Sequence, residues 1–370
     1  MDFWIEPNNT ISYTDLIKII NNNKKVPKGT SENLIFYIEL INKIIQNREI
    51  QNFNELIDLL FFQSDEYSFK LQTSGTTSKP KEINVDLKKC IRQVKKVSQE
   101  SKNIWGLCYP HNSFASTQVF FQSIFNKETI VNLYDENLEF NEISKKIINN
   151  NINRLTCTPT FLKMLCISTK KKFKKIKSVT VGGEILDETT INYFNKKFEN
   201  AKLINIYAST EGGSLMYSNS NYFEIPEKYK DRIKIKNNEL ILHNILVNKG
   251  SKNKDEWFKT GDIVEFKENQ QLFKFVGRKN SYVNIGGNRV NVFEVEQKIC
   301  ELDYILDAKV FTKKNNILGT ILTAEVISLA ENSKKIKNDL KKALPNYKIP
   351  LKFYFKQSFE LTKSGKKTRK

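Results

Sequence analysis

Thr73, Ser74, Gly75, Thr76, Thr77, Ser78, Lys79, Pro80 and Lys81 stand in one unbroken run. Small hydroxyl residues at this density suit neither a helix interior nor a core strand. They suit a polyphosphate. Hydroxyls and backbone N–H groups donate, Gly75 lets the chain approach closely, and Lys79 and Lys81 add charge. Composition alone fits a polar surface loop equally well. No GxxxxGK[ST] is present, nor a GxGxxG after a strand, so neither a Walker nucleotidase nor a dinucleotide-binding enzyme is indicated.

Five later stretches carry further chemistry. Val181-Gly182-Gly183-Glu184 follows an expected strand. Ile206-Tyr207-Ala208-Ser209-Thr210-Glu211 offers a ring to stack on a base, a hydroxyl for a phosphate or carboxylate oxygen, and a carboxylate for Mg²⁺. Trp257-Phe258-Lys259-Thr260-Gly261-Asp262 ends in an acid that can accept from two hydroxyls. Gly277-Arg278 continues into Val283–Glu296, and Leu361-Thr362-Lys363-Ser364-Gly365-Lys366 lies in the final stretch. Taken singly, each has an ordinary reading: a strand-to-helix turn, an exposed loop acid, a solvated basic tail.

In this order the run and its companions resemble the adenylate-forming superfamily of acyl-CoA synthetases, aryl-CoA ligases, luciferases and peptide-synthetase adenylation domains. The usual forms there are [ST]SGTTGxPKG, GGE or GGA, YGxTE, WFxTGD, GR, IKxxGxRVxxxEIE and TxSGK. The resemblance extends from about residue 70 to the end. It implies ATP binding by Thr73, Ser74, Gly75, Thr76, Thr77, Lys79, Lys81, Gly183, Glu184, Tyr207, Thr210, Asp262, Arg278 and Lys366. It places Asp262 at the ribose, Arg278 at ribose and phosphates, and Glu211 on Mg²⁺. Lys366, Thr210 and Glu211 become the catalytic residues, with Lys366 reaching the α-phosphate and the attacking carboxylate. Gly182 and Gly183 flank that carboxylate, and His111, in Tyr109-Pro110-His111, lines its pocket. Departures from the pattern are Ser78, Glu82 and Ala208 in place of glycines, Asn284 in place of Lys, and Asn280 in place of the hinge Asp. Asn112 stands where members that activate amino acids carry an Asp, which argues against an α-amino acid substrate. The front is shorter than usual, so part of the pocket wall must be missing or supplied otherwise.

The elements that must position these residues follow from periodicity. Apolar residues at helical spacing predict helices over Tyr13–Asn22, Ser31–Asn47 and Phe53–Phe62, and another over Asp86–Ser101. Short apolar strands then alternate with helices: Thr129–Leu133, Glu142–Asn149, Arg154–Thr158, Phe161–Ile167, Ser178–Val181, Glu188–Phe198 and Leu203–Tyr207. That alternation argues a mostly parallel sheet with flanking helices and ligand contacts at the strands' carboxyl ends. From about Tyr222, hairpin-like segments form a small β subdomain. Beyond Arg278 a small α+β unit follows. The expected division is an α/β domain over 1–278 and a mobile α+β domain over 279–370, hinged near Asn280.

Length permits two domains, and 39% hydrophobic with 27% charged residues describe a globular protein without a signal peptide or the ~18-residue apolar run of a membrane helix. Five scattered cysteines lack CxxC spacing, and with two histidines a zinc site is not indicated. They read as reduced packing groups in a cytoplasmic protein. The net charge of +19 admits nucleic acid or an anionic surface, but lysine is heavy everywhere. Lys170–Lys177 reads as the solvated end of an amphipathic helix. The function implied is ATP-dependent activation of a small carboxylic acid as an acyl-adenylate, then transfer to a thiol, foremost CoA. The alternatives are loading of a carrier-protein phosphopantetheine and a non-catalytic basic module on nucleic acid. The cofactors implied are ATP, Mg²⁺ and CoA, with no specific nucleic acid partner.

Overall fold

The computed structural model describes residues 1–7, 9–22, 26–72, 82–94, 102–135, 139–248, 251, 255–267 and 271–368. The chain opens with β1 (Asp2–Glu6) and β2 (Asn9–Ser12), then α1 (Tyr13–Asn21), α2 (Glu32–Ile44) and α3 (Phe53–Phe62). A separate antiparallel pair, β3 (Ser68–Gln72) and β4 (Glu82–Asp86), leads into α4 (Leu87–Ile91). The alternating run follows: β5 (Ile104–Leu107), α5 (Phe114–Phe125), β6 (Thr129–Asn132), α6 (Phe140–Asn149), β7 (Arg154–Cys157), α7 (Pro159–Ser168), β8 (Ser178–Gly182), α8 (Glu188–Lys197), β9 (Lys202–Ser209) and β10 (Gly213–Ser218).

These strands build an eight-stranded sheet in the order β10-β9-β8-β7-β5-β6-β1-β2. The neighbours from β9 to β1 run parallel, and β10 and β2 close the two edges antiparallel. Parallel strands must be covered on both faces, and the burial of Leu155, Val179, Val181 and Ile130 agrees with that. The crossover β5-α5-β6 moves one way along the sheet, whereas β6-α6-β7, β7-α7-β8 and β8-α8-β9 move the other. Right-handed crossovers therefore put α5 on one face and α6–α8 on the opposite one. The core on the α5 side is shared with α1–α3, where Tyr37 and Phe120 stack at 4.0 Å. The core on the other side collects Ile143, Ile147, Leu162 and Phe198. The reversal of direction falls between β5 and β7, so the crevice at their carboxyl ends is where an α/β sheet binds ligands.

A five-stranded antiparallel sheet follows, ordered β11-β15-β14-β13-β12, from β11 (Tyr222–Phe223), β12 (Ile233–Lys236), β13 (Glu239–His243), β14 (Trp257–Phe266) and β15 (Phe273–Arg278). The smaller C-terminal domain then begins with the hairpin β16 (Tyr282–Ile285) and β17 (Asn288–Asn291). Gly286 and Gly287 turn that hairpin at φ of +53° and +82°, values that carry no steric cost for glycine. It continues through α9 (Val292–Cys300), β18 (Ile305–Asn315), β19 (Gly319–Ser328), α10 (Ser333–Leu340) and β20 (Lys352–Phe355) around its own core. The large α/β sheet domain and the smaller α+β domain are the architecture expected.

Three local readings are corrected. The front is not helices alone. Trp4 and Ile5 pair with Ile130 and Val131, so β1 extends the main sheet from a segment too short for a period-2 signal. The helix expected over Asp86–Ser101 is confined to Leu87–Ile91, because Glu82–Asp86 pairs with β3, and residues 95–101 lie outside the described residues. Lys170–Lys177 is irregular chain, not a helix end. Phe173 stacks on Phe198 at 4.8 Å and Ile176 is buried, so the three-residue spacing reflects two anchors of a connection between exposed lysines. All five cysteines are free and buried, and burial pushes the thiols of Cys90 and Cys300 up to about 12, which makes them unreactive packing groups. Among the described residues no helix is long and apolar enough to cross a membrane.

Candidate active site

The run Thr73–Lys81, with Thr73, Ser74, Gly75, Thr76, Thr77, Lys79 and Lys81, lies outside the described residues. Its stem does not. Gln72 pairs with Glu82 across β3 and β4, and Asn112 Nδ2 donates to Gln72 Oε1 at 2.8 Å while Gln72 N donates to Asn112 O at 3.0 Å. Asn112 therefore ties the stem to the loop after β5.

That loop also carries His111, held from the front of the chain. Asn33 on α2 is buried, and its Nδ2 donates to Tyr109 O and Asn132 Oδ1, both at 3.2 Å. Its Oδ1 accepts from His111 N at 2.8 Å and lies 3.2 Å from His111 Nδ1. With the amide nitrogen committed as donor, the proton of a neutral imidazole is assigned to Nδ1, leaving Nε2 as an acceptor. Burial lowers the His111 pKa; Glu32 opposes this and Lys363 adds to it, so the ring is neutral near pH 7. The ring lies 5.0 Å from Phe36. Thus α2 supplies a wall beside this loop.

β8 ends at Gly182. A Cβ on Gly182 would meet Ile206 O at 3.0 Å, and a Cβ on Gly183, at φ +81°, would meet Lys366 Nζ at 3.3 Å. The bare backbone at Gly183 leaves the space that the Lys366 side chain occupies. Glu184 Oε2 accepts from Thr160 N at 3.2 Å. Burial raises the Glu184 pKa, with Lys366 and Thr160 opposing. Burial lowers that of Lys366, Glu184 opposes, and Arg278 adds to the depression.

Lys366 reaches this point on a folded tail. Thr362 N donates to Lys366 O at 2.7 Å and Gly365 N to Thr362 O at 2.8 Å. Thr158, the N-cap of α7, accepts from Phe161 N at 3.1 Å and donates to Gly365 O at 2.8 Å. One hydroxyl thus caps a helix of the large domain and docks the tail.

β9 delivers Tyr207, whose hydroxyl donates to Asp262 Oδ2 at 2.7 Å, and Arg278 Nε donates to Asp262 Oδ1 at 2.8 Å. Asp262 and Arg278 face each other across β14 and β15, and the Tyr207 ring stacks on Phe275 at 4.5 Å and 7°. Burial, with the Asp262 charge, pushes the Tyr207 phenol well up; Asp262 likewise raises Arg278. Thr210 and Glu211 follow β9. Asn248, fully buried, donates through Nδ2 to Thr210 O at 2.6 Å and through N to Glu211 O at 2.7 Å, and its Oδ1 accepts from Asp86 N at 3.1 Å. This side chain fixes the Thr210–Glu211 turn against the end of β4.

The structure therefore gathers Gly182, Gly183, Glu184 and Lys366 in one cluster, and Tyr207, Asp262 and Arg278 in another. The electrostatic influence of Arg278 on Lys366 links the two. Asn280 sits apart, exposed in the turn Lys279–Ser281 between the domains. Sequence reasoning missed Asn33, Asn248 and Thr158, which carry no motif. Among the described residues no three His, Cys, Asp or Glu side chains group as a metal site. Magnesium bound with a nucleotide needs one or two carboxylates, the phosphates supplying the rest. The Glu211 carboxylate, with no ion pair among the described residues, fits that requirement.

Residues 23–238 match the family described as AMP-binding enzyme. D-alanine–D-alanyl carrier protein ligase of Staphylococcus aureus is 26% identical over 345 residues, spanning 82% of this chain and 70% of its own. ATP-bound MatB from Rhodopseudomonas palustris superimposes with a TM-score of 0.64 at 17% identity, over 81% of this chain and 66% of its own, so the chain spans about two thirds of that protein. The o-succinylbenzoate CoA synthetase (MenE) of Bacillus subtilis, in complex with its acyl-adenylate OSB-AMP, gives 0.68 at 16% identity over 100% of this chain and 94% of its own. These structural likenesses are likenesses of fold.

Proposed function

The chain belongs to the AMP-binding enzyme family, and we propose that it activates a carboxylic acid as an acyl-adenylate and passes the acyl group to a thiol. The observation that carries this reading is the docking of Lys366 against the bare backbone of Gly183, within electrostatic reach of Arg278, the partner of Asp262. A carboxylate is a poor electrophile because its charge repels nucleophiles. Activation has a carboxylate oxygen attack the α-phosphorus as pyrophosphate leaves. A thiol then attacks the carbonyl, and AMP leaves. Lys366 neutralises charge developing between carboxylate and α-phosphate, Thr210 donates to an oxygen there, and Asp262 and Arg278 hold the ribose. Thr73, Ser74, Gly75, Thr76, Thr77, Lys79 and Lys81 cradle the outer phosphates. Magnesium, held by Glu211, would withdraw charge from the triphosphate. In this reading units 1–278 and 279–370 move about Asn280, and the enzyme works in the cytoplasm.

CoA is the first acceptor to test. The likeness to a carrier-protein ligase favours the second, a phosphopantetheine on a carrier. D-alanine is not favoured as the acid, because Asn112 offers no carboxylate for an α-amine and its side chain is engaged with Gln72. The test is ATP–pyrophosphate exchange with short, long, aromatic and hydroxylated acids and with D-alanine, followed by acyl transfer to CoA and to a carrier. Exchange with at least one acid is expected. A blank across the panel removes the enzymatic reading and leaves a basic binding module as its replacement.

A pH dependence follows from Lys366. Its depressed pKa makes it lose its proton below the ~10.4 of an ordinary lysine. ATP affinity, measured by calorimetry, is therefore expected to fall from a lower pH than an unperturbed lysine dictates, and Lys366→Arg should remove that early fall. An unchanged profile in Lys366→Arg would place the titration elsewhere. For folding the sign is opposite: the unfolded chain binds the proton more tightly, so this group's contribution to stability grows as pH rises between the folded and unfolded values.

A further inference from the structure

Lys163 projects from α7 into the contact between the two domains. Its Nζ donates to Asp307 Oδ1 of β18 at 3.0 Å and to Asp187 Oδ2 at 3.0 Å. Lys367 Nζ donates to the same Asp307 Oδ1 at 2.8 Å and to Ala308 O at 2.7 Å. Lys163 is 2% exposed, Asp307 0% and Lys367 8%, depths at which lysine and aspartate persist only as partners of one another. Burial opposes ionisation of Asp307, yet the two lysines hold its carboxyl below the usual range. Asp187 adds a fourth charge and caps α8 by accepting from Thr190 N at 2.6 Å.

The cluster joins three pieces of chain that nothing covalent holds together: a helix of the large domain, a strand of the small domain, and the tail. Lys367 is the residue after Lys366 and bridges to Leu361 across the turn 362–365. With Lys367 anchored on Asp307, its neighbour Lys366 is held where its side chain reaches Gly183. A small apolar patch of Met164, Ile327 and Phe359 packs at the same domain contact, and Thr189 Oγ1 donates to Cys300 O at 3.3 Å across it. Both lysines share Oδ1, whereas Asp307 Oδ2 is buried with no hydrogen-bond partner among the described residues.

We propose that Lys163, Asp307 and Lys367 form a three-charge latch that docks the C-terminal tail on the large domain and thereby aims Lys366 at the loop after β8. These are positioning residues. The consequence for catalysis rests on the adenylation reading; the docking itself does not.

The test is Lys163→Met in the full chain, which breaks the arm between domains and leaves Asp307 and Lys367 paired within the small domain. Amide hydrogen exchange of residues 361–368 should speed about 10-fold, a coupling of ordinary size, while β19 and α9 keep their protection. In ATP–pyrophosphate exchange, kcat should fall about 10-fold with KM for ATP within about twofold. Asp307→Asn should reproduce both effects, and the double variant should add little, because both changes break one contact. Unchanged exchange at 361–368 in Lys163→Met, or a uniform rise across the small domain, overturns the latch. If no acid supports pyrophosphate exchange, hydrogen exchange still decides the latch by itself, and the functional reading alone has failed.

Discussion

Lys366→Ala is expected to slow adenylate formation by about 10²–10³-fold, the typical loss for one preorganised electrostatic donor. Thiol transfer from a supplied acyl-adenylate should stay near the wild-type rate. The ammonium is the group that fills the space over Gly183, and it lies on a tail that Thr158 and the Lys163–Asp307–Lys367 cluster dock. Its charge matters while a carboxylate oxygen and the α-phosphate are brought together, because two anions must approach. It matters little once the mixed anhydride exists, since attack by a thiol releases AMP and needs no cation at that point. Single-turnover measurement of each half-reaction, with the acid found by exchange, separates the steps. Removing Lys366 also leaves Glu184 buried without its opposing cation, which pushes that carboxyl's already raised pKa further up. Equal losses in both steps would make Lys366 a static ligand or a folding residue.

Four of the eight strands of the main sheet, β6 to β9, were legible because their signals are local, whereas β5, α5 and β10 went unread. Leu155, Val179 and Val181 belong to short apolar runs closed by Thr158 or Gly182-Gly183, and a run of a few residues identifies a buried strand and the loop at its carboxyl end. What was not legible depends on partners distant in sequence. Asn33 reads as an ordinary helix residue until His111 is found on its Oδ1, and Asn248 as a loop residue until it spans Thr210, Glu211 and Asp86. Lys163 sits in Phe161–Ile167, where a lysine reads as the solvent side of a helix; the structure buries it against Asp307. Lys367 lies one residue beyond the motif that ends at Lys366, where a lysine reads as part of a solvated basic tail. β1 failed for a different reason. Its five residues carry two buried aromatics side by side in one core, a pattern that the register shift between Asp2 and Trp4 explains and that alternation cannot.

Asp262→Ala is expected to weaken ATP binding by about 10–100-fold, or about 1.5–3 kcal/mol, the cost of losing hydrogen bonds to a charged acceptor. Acid preference should hardly change. In the structure Asp262 already accepts from Tyr207 Oη at 2.7 Å and Arg278 Nε at 2.8 Å. A ribose must therefore share these oxygens or displace a donor. Alanine removes the acceptor and also strands the buried Tyr207 hydroxyl, so part of any loss could arise from a disturbed β9. Tyr207→Phe separates the two causes. It keeps the ring on Phe275, removes the competing donor, and leaves Asp262 Oδ2 free for a ribose hydroxyl. If Asp262 is the ribose ligand, Tyr207→Phe binds ATP at least as well as the wild type while Asp262→Ala binds it 10–100-fold more weakly by calorimetry. If Asp262 serves to anchor Tyr207, the two variants lose affinity together. Wild-type affinity in Asp262→Ala would remove Asp262 from the nucleotide site altogether.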